Sequence, residues 1–170
     1  MNARPRFELR REAAVMVTIF RDAPHGVIFV ERAAHLRDHP GQIGLPGGGV
    51  HAEDADLEAT ALRELHEEVG IERSGVTVVA RLPTISQHVV NNFDVTPFVA
   101  VCEAAQLRID PAETAGAFLV PLETIVGGLG EYGLDFEGRR IWGLTARILH
   151  AFVTAWREHG LEEKVRSHLR

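Results

Sequence analysis

Cysteine is almost absent from this chain, with one residue, Cys102, in 170. That excludes an internal disulfide and fits a reducing compartment. Cys102 closes an apolar run, residues 98–102, so it reads as a buried structural thiol rather than a nucleophile. Positive charge is also short. The net charge is −6 with nine histidines counted neutral, which leaves no general basic field to attract nucleic acid. Arginines, glycine loops or a metal ion can still hold anions locally. Long apolar runs are missing too. The run near the N-terminus, residues 13–20, falls far below the roughly 18 residues of a membrane span and is too short for a signal segment with a cleavage site. It reads as a buried strand, and the expected protein is cytoplasmic with no membrane partner. There are no internal repeats and no low-complexity tract. What remains is an ordinary globular composition, 45% hydrophobic and 25% charged. The length suits a single domain, residues 1–170 with its core over about 13–157.

The most informative stretch is Arg63-Glu64-Leu65-His66-Glu67-Glu68-Val69-Gly70-Ile71. Its spacing predicts a helix over about residues 56–69, with Asp54 or Asp56 as N-cap and Gly70 as the C′ terminator. On that helix Glu64, Glu67 and Glu68 stand at i, i+3 and i+4, on one face. Ala61, Leu62, Leu65 and Val69 form the adjoining apolar face. Like charges so close repel by roughly a few tenths of a kcal/mol per exposed pair. A hard divalent cation such as Mg²⁺, which prefers oxygen ligands, would offset that repulsion. A solvated acidic face accounts for an isolated E-x-x-E-E just as well. The context upstream argues for more. Pro46-Gly47-Gly48-Gly49 is a run whose backbone can approach a phosphate closely and take up positive φ. A glycine loop feeding a carboxylate-bearing helix reads as a metal-assisted phosphate site.

The segment resembles the Nudix box, G-x5-E-x7-R-E-U-x-E-E-x-G-U with U aliphatic, and residues 63–71 match its second half at every defined position. The first half departs. Counting back from Arg63 puts Ala55 at the first glutamate, whereas counting forward from Gly48 puts Asp54 there. One Nudix branch, the coenzyme A pyrophosphatases, is similar further upstream, with the signature L-L-T-x-R-[SA]-x3-R-x3-G-x3-F-P-G-G. Here Arg32-Ala33, Arg37, Gly41 and Pro46-Gly47-Gly48 keep its spacings. Ile28, Phe29, Val30 and Leu45 depart from it. The segment Ile141-Trp142-Gly143-Leu144-Thr145-Ala146 also resembles that branch, so the likeness spans about residues 13–152.

Elsewhere, residues 15–20 and 27–31 read as strands joined by a turn at 22–26. Residues 76–82 and 93–102 read as two more, separated by a polar loop at 86–92. His35 and His39 read as surface histidines rather than a metal pair, because Pro40 follows at once and no third such ligand is evident. After a loop at 106–115 come a short strand near 117–120, a helical turn from Pro121 and a flexible loop at 127–130. A hairpin about Glu137-Gly138 follows, then an amphipathic helix over 144–158. Ile148, Leu149, Phe152 and Trp156 on that helix are assigned to the core rather than to base stacking. The charged tail, residues 161–170, is left outside the core. This order implies an α/β (α+β) sandwich with a mixed sheet between helical layers. The resemblance implies the same: a Nudix-type α/β/α sandwich whose box is a loop–helix–loop.

The resemblance further implies metal-dependent hydrolysis of a diphosphate, with Glu64, Glu67 and Glu68 holding Mg²⁺ or Mn²⁺. Glu64 and Glu68 are its firmest ligands, and Glu67 either ligates or helps to activate water. A carbonyl near Gly47-Gly48 is a candidate to complete the metal shell. Arg63 is a partner that orients a neighbouring carboxylate rather than a catalyst. Arg32 and Arg37, with Gly47 and Gly48, are the expected substrate contacts, since guanidinium suits phosphate geometry. Glu113 is a further catalytic candidate for metal or water, against a plain solvent-facing carboxylate. The substrate so implied is coenzyme A or an acyl derivative, cut to 3′,5′-ADP and 4′-phosphopantetheine, with homodimer formation left open. Two rivals stand beside it: another nucleoside diphosphate derivative (ADP-ribose, NADH or a nucleoside triphosphate), and a silent nucleotide-binding module.

Overall fold

The computed structural model describes residues 11–35, 40–87, 92–103, 107–112 and 114–170. Arg37, His39, Glu113 and residues 88–91 of the polar loop lie outside the described residues. Strand β1 (Arg11–Phe20) is apolar over most of its length and is buried on both faces, as a central strand between helical layers must be. It pairs in parallel with β7 (Phe93–Cys102) over its full length, from Arg11 opposite Phe93 to Phe20 opposite Cys102. β2 (Gly26–Arg32) lies antiparallel to β1, and β8 (Thr114–Pro121) lies antiparallel to β2. Beyond β7 come β5 (Val76–Arg81) and β6 (Ile85–Gln87), both antiparallel to it. Pro97 sits where the partner of β7 changes from β5 to β6, so the donor it lacks is missed least there. Two short strands, β3 (Ile43–Gly44) on β2 and β4 (Gly47–Gly49) on β1, complete an eight-stranded mixed sheet.

Helix α1 (Leu57–Val69) covers one face, where Ala61, Leu62, Leu65 and Val69 meet Ala14, Met16, Phe98 and Ala100. On the other face lie α2 (Leu122–Gly128), α3 (Gly143–Glu158) and α4 (Leu161–Leu169). There Val17 and Ile19 pack with Ile148, Leu149, Phe152 and Trp156, the last two rings 5.7 Å apart. The hairpin of β9 (Leu134–Phe136) and β10 (Arg139–Ile141) turns at Glu137 and Gly138, both at positive φ, as the sequence predicts. The mixed α/β sandwich is therefore the architecture observed.

Four expectations need correction. Gly127 and Gly128 close α2 instead of belonging to a loop. Ser86 and Gln87 belong to β6, because the polar loop begins only after the chain has paired with β7. The glycine run is a strand, not a loop, and pairs antiparallel with β1. The tail is not outside the core, since Leu161 and Val165 of α4 are buried against the sheet. Its helical spacing places Leu161, Val165 and Leu169 on one face against the core.

Candidate active site at the glycine strand and helix α1

Local chemistry fixes both ends of α1. The Asp56 carboxylate accepts from Ala59 N–H at 2.7 Å, and Gly70, at φ 74°, donates its N–H back to His66 O. The helix is thereby set in register against β4. None of Gly47, Gly48 and Gly49 has positive φ, contrary to expectation. What the run needs is the absence of side chains. A Cβ on Gly47 would lie 2.5 Å from Ala14 O and 2.7 Å from Val15 Cα, inside the backbone of β1. A Cβ on Gly48 would lie 2.5 Å from Glu64 Cδ and closer still to Glu64 Oε1. The bare strand is what lets the helix bring its carboxylates down onto the sheet edge.

Arg63 organises these carboxylates. Its Nε and Nη2 donate to the two oxygens of Asp54, each at 3.0 Å, and Nη2 also donates to Gly49 O at 2.9 Å. Nη1 donates to Glu64 Oε1 at 2.7 Å and to Glu67 Oε2 at 3.0 Å. All five N–H donors of the guanidinium are thus used. Asp54 also accepts from Thr60 Oγ1 and from His51 N–H. Hydrogen bonding from Arg63 is the main cause holding the Asp54 carboxyl far below the usual range, and the same pair raises Arg63. Glu68 accepts from Gly47 N–H at 3.1 Å. Glu64 and Glu68 are buried at 9% and 6% exposure, whereas the Glu67 side chain is half exposed.

Arg63 is thus an orienting partner of carboxylates, as expected. Asp54, whose place in the box pattern was irregular, turns out to be its bidentate anchor. Counting along the chain misses this, because a flexible arginine absorbs a one-residue shift that a sequence pattern does not. Arg32, Gly47 and Gly48 come together on the wall of one cavity of about 500 Å³, on the α3 side of β4. Gln42, Gln87 and Trp142 line it too. From the sequence Gln87 belongs to a polar loop that can border the substrate and Trp142 to the segment resembling the coenzyme A branch, whereas Gln42 carries no signal.

A metal was expected on Glu64, Glu67 and Glu68. Their oxygens suit a hard divalent cation in kind, and Gly48 keeps open the space in front of Glu64 that a Cβ would fill. Among the described residues, however, no three acidic, histidine or cysteine side chains already converge as a cation site. Glu64 and Glu67 share Arg63 Nη1 instead.

Residues 9–140 match the NUDIX domain model. The chain belongs to the Nudix family. A Nudix hydrolase named NudL, itself uncharacterized, from Enterobacter sp. (strain 638) is 35% identical over 155 residues, covering 82% of this chain and 80% of that protein. The protein of the same name from Citrobacter koseri is 36% identical over 156 residues, with the same coverage. Among solved structures, a Nudix hydrolase from Nitrosomonas europaea superposes with a TM-score of 0.64 at 16% identity, covering 91% of this chain and 75% of that one. The NUDIX domain of Shewanella oneidensis NrtR, complexed with ADP ribose, gives 0.61 at 19% identity, over 89% and 92%. These two likenesses concern the fold. As a Nudix hydrolase the chain is a pyrophosphatase acting on a nucleoside diphosphate derivative. Nudix hydrolases generally use divalent cations such as Mg²⁺ or Mn²⁺. No described helix is long and apolar enough to cross a membrane.

Proposed function

We propose that this Nudix hydrolase cleaves the diphosphate of coenzyme A or an acyl derivative, giving 3′,5′-ADP and 4′-phosphopantetheine. The observation that carries this reading is the upstream signature of Arg32, Arg37, Gly41 and Gly47-Gly48, two parts of which, Arg32 and the glycine pair, border one cavity beside the acidic helix. Glu64, Glu67 and Glu68 are the residues assigned to Mg²⁺ or Mn²⁺. When bound, such a cation offsets charge on the diphosphate oxygens and activates the attacking water. Arg63, anchored on Asp54, holds Glu64 and Glu67 through one nitrogen, Nη1. Gly47 N–H keeps the Glu68 carboxylate against β4. Arg32 contacts substrate phosphate from the cavity wall. Arg37 and Glu113 keep the roles the resemblance gives them, the first as a substrate contact and the second as an acidic residue that assists metal or water. A cytoplasmic setting agrees with the single buried thiol.

The test is product chromatography after incubating the protein, with Mg²⁺ or Mn²⁺, with coenzyme A, ADP-ribose and NADH in turn. Preferential release of 3′,5′-ADP from coenzyme A is the expected result. Preferential cleavage of ADP-ribose or NADH would discard the substrate assignment and keep the chemistry. Binding without any cleavage would move the assignment to a silent nucleotide-binding module.

A further inference from the structure

The chain has two tryptophans, and they are placed in opposite ways. Trp156 is 4% exposed and packs in the core of the α3 face. Trp142 is 53% exposed, yet it is the residue that leads into α3 and lines the cavity beside β4. Four large hydrophobic side chains are exposed among the described residues, Val50, Leu119, Tyr132 and Trp142, and of these only Trp142 borders this cavity. The cavity, about 500 Å³, falls within the size range of small-ligand sites. Its walls carry apolar surface from Val15, Phe93 and Val95, the amides of Gln42 and Gln87, and one charged group, Arg32. An amide both donates and accepts hydrogen bonds, as the edge of a nucleobase does. A wide aromatic face, apolar walls and a few amides suit a flat heterocycle better than a purely aliphatic group, and Arg32 suits a phosphate attached to it.

We infer that Trp142 is a specificity-determining residue that stacks on the nucleobase of the substrate, with Gln42 and Gln87 facing its edge. The cavity is then the nucleoside half of the site. β4 forms its wall, and the other side of β4 meets Glu64. A base held by Trp142 leaves its diphosphate to lie across the bare glycine strand towards the carboxylates. This deepens the proposed reaction and rests on it only for the substrate carrying a nucleotide.

The experiment is a titration of indole fluorescence with ADP in EDTA, where no hydrolysis occurs, on the wild type and on Trp142→Phe. Trp142 is exposed, so the variant loses no core packing, and its remaining indole is Trp156. Saturable quenching in the wild type that disappears in Trp142→Phe is the expected result. A second arm uses Trp142→Ala with whichever nucleotide substrate is turned over. KM should rise about ten-fold, within the range for loss of one base–aromatic stack, with kcat falling far less. Quenching that persists in Trp142→Phe, or none in the wild type, overturns the assignment. Quenching by 4′-phosphopantetheine but not by ADP also overturns it, and gives the cavity to the other half of the substrate. If ADP quenches Trp142 while coenzyme A is not cleaved, the coenzyme A reading fails and the stacking assignment stands.

Discussion

The two faces of the sheet start from the same strand and end in different chemistry. Alternate residues of β1 point each way, Val17 and Ile19 towards α3 and Met16 and Phe20 towards α1. On the α3 face the apolar packing continues without a break through Ile148, Leu149 and Phe152 to Val165. On the α1 face the apolar stripe stops one residue from Glu64 and Glu68, two acidic side chains buried among hydrogen bonds. Buried carboxylates are costly unless paired, and here Arg63 and the Gly47 N–H supply partners. Close apolar packing fills one layer, and buried, hydrogen-bonded charge marks the other.

That separation can be broken from either side. Phe152→Ala should cost about 4 kcal/mol in a urea melt, because the ring is fully buried and leaves a cavity in close-packed surroundings. Glu68→Gln should lower turnover about a hundred-fold or more while thermal unfolding stays near wild type. Near-normal turnover would remove Glu68 from the catalytic set. The two glycines sharpen the contrast within one strand. Gly47→Ala drives a methyl into the immovable backbone of β1 and should cost about 2–3 kcal/mol. Gly48→Ala meets only the end of the Glu64 side chain, which can turn away, so activity should fall by a larger factor than stability. Equal stability losses in the two would contradict this division.

Smaller effects test the anchor and the thiol. Asp54→Asn removes the charged partner of Arg63 and should cost about 2 kcal/mol at neutral pH. The folded carboxyl lies well below its unfolded value near about 3.9, so its contribution is complete above that value and fades as pH falls towards the folded one. Urea midpoints of wild type and variant should therefore differ most above about pH 5 and converge in acid. Cys102, buried beside β5 with its thiol pushed up to about 12, should resist alkylation at pH 8 until the protein unfolds. Fast native labelling would mean that this strand edge opens.

What could be read in advance follows from how side chains signal. β1 and β7 announce themselves by apolar content, and α1 by its caps at Asp56 and Gly70. β4 could not be recognised, because three glycines carry no alternation, and its strand pairing is purely a backbone matter. β3 and β6, of two and three residues, are too short to show a period. The charged composition of α4 concealed its buried Leu161 and Val165. Within the site, the acidic spacing of Glu64, Glu67 and Glu68 was legible, as was the role of Arg63. The anchoring by Asp54 was not, since it depends on the reach of a long side chain across a loop. Of the cavity wall, Arg32, Gly47 and Gly48 were legible, but Gln42 and Trp142 were not, because β3, β4 and the start of α3 meet there only once the chain is folded.

The parallel pairing of β1 with β7 also governs the birth of the protein. β1 leaves the ribosome early, with apolar residues on both sides, while its main neighbour ends at Cys102. Until that residue has emerged, β2, the glycine strand and α1 are available to cover it, and the flank that β7 takes stays open. Long-range parallel pairing forms slowly, and exposed strand edges attract other chains. A nascent chain stalled before Phe93 therefore exposes the flank of β1 that β7 covers in the folded protein.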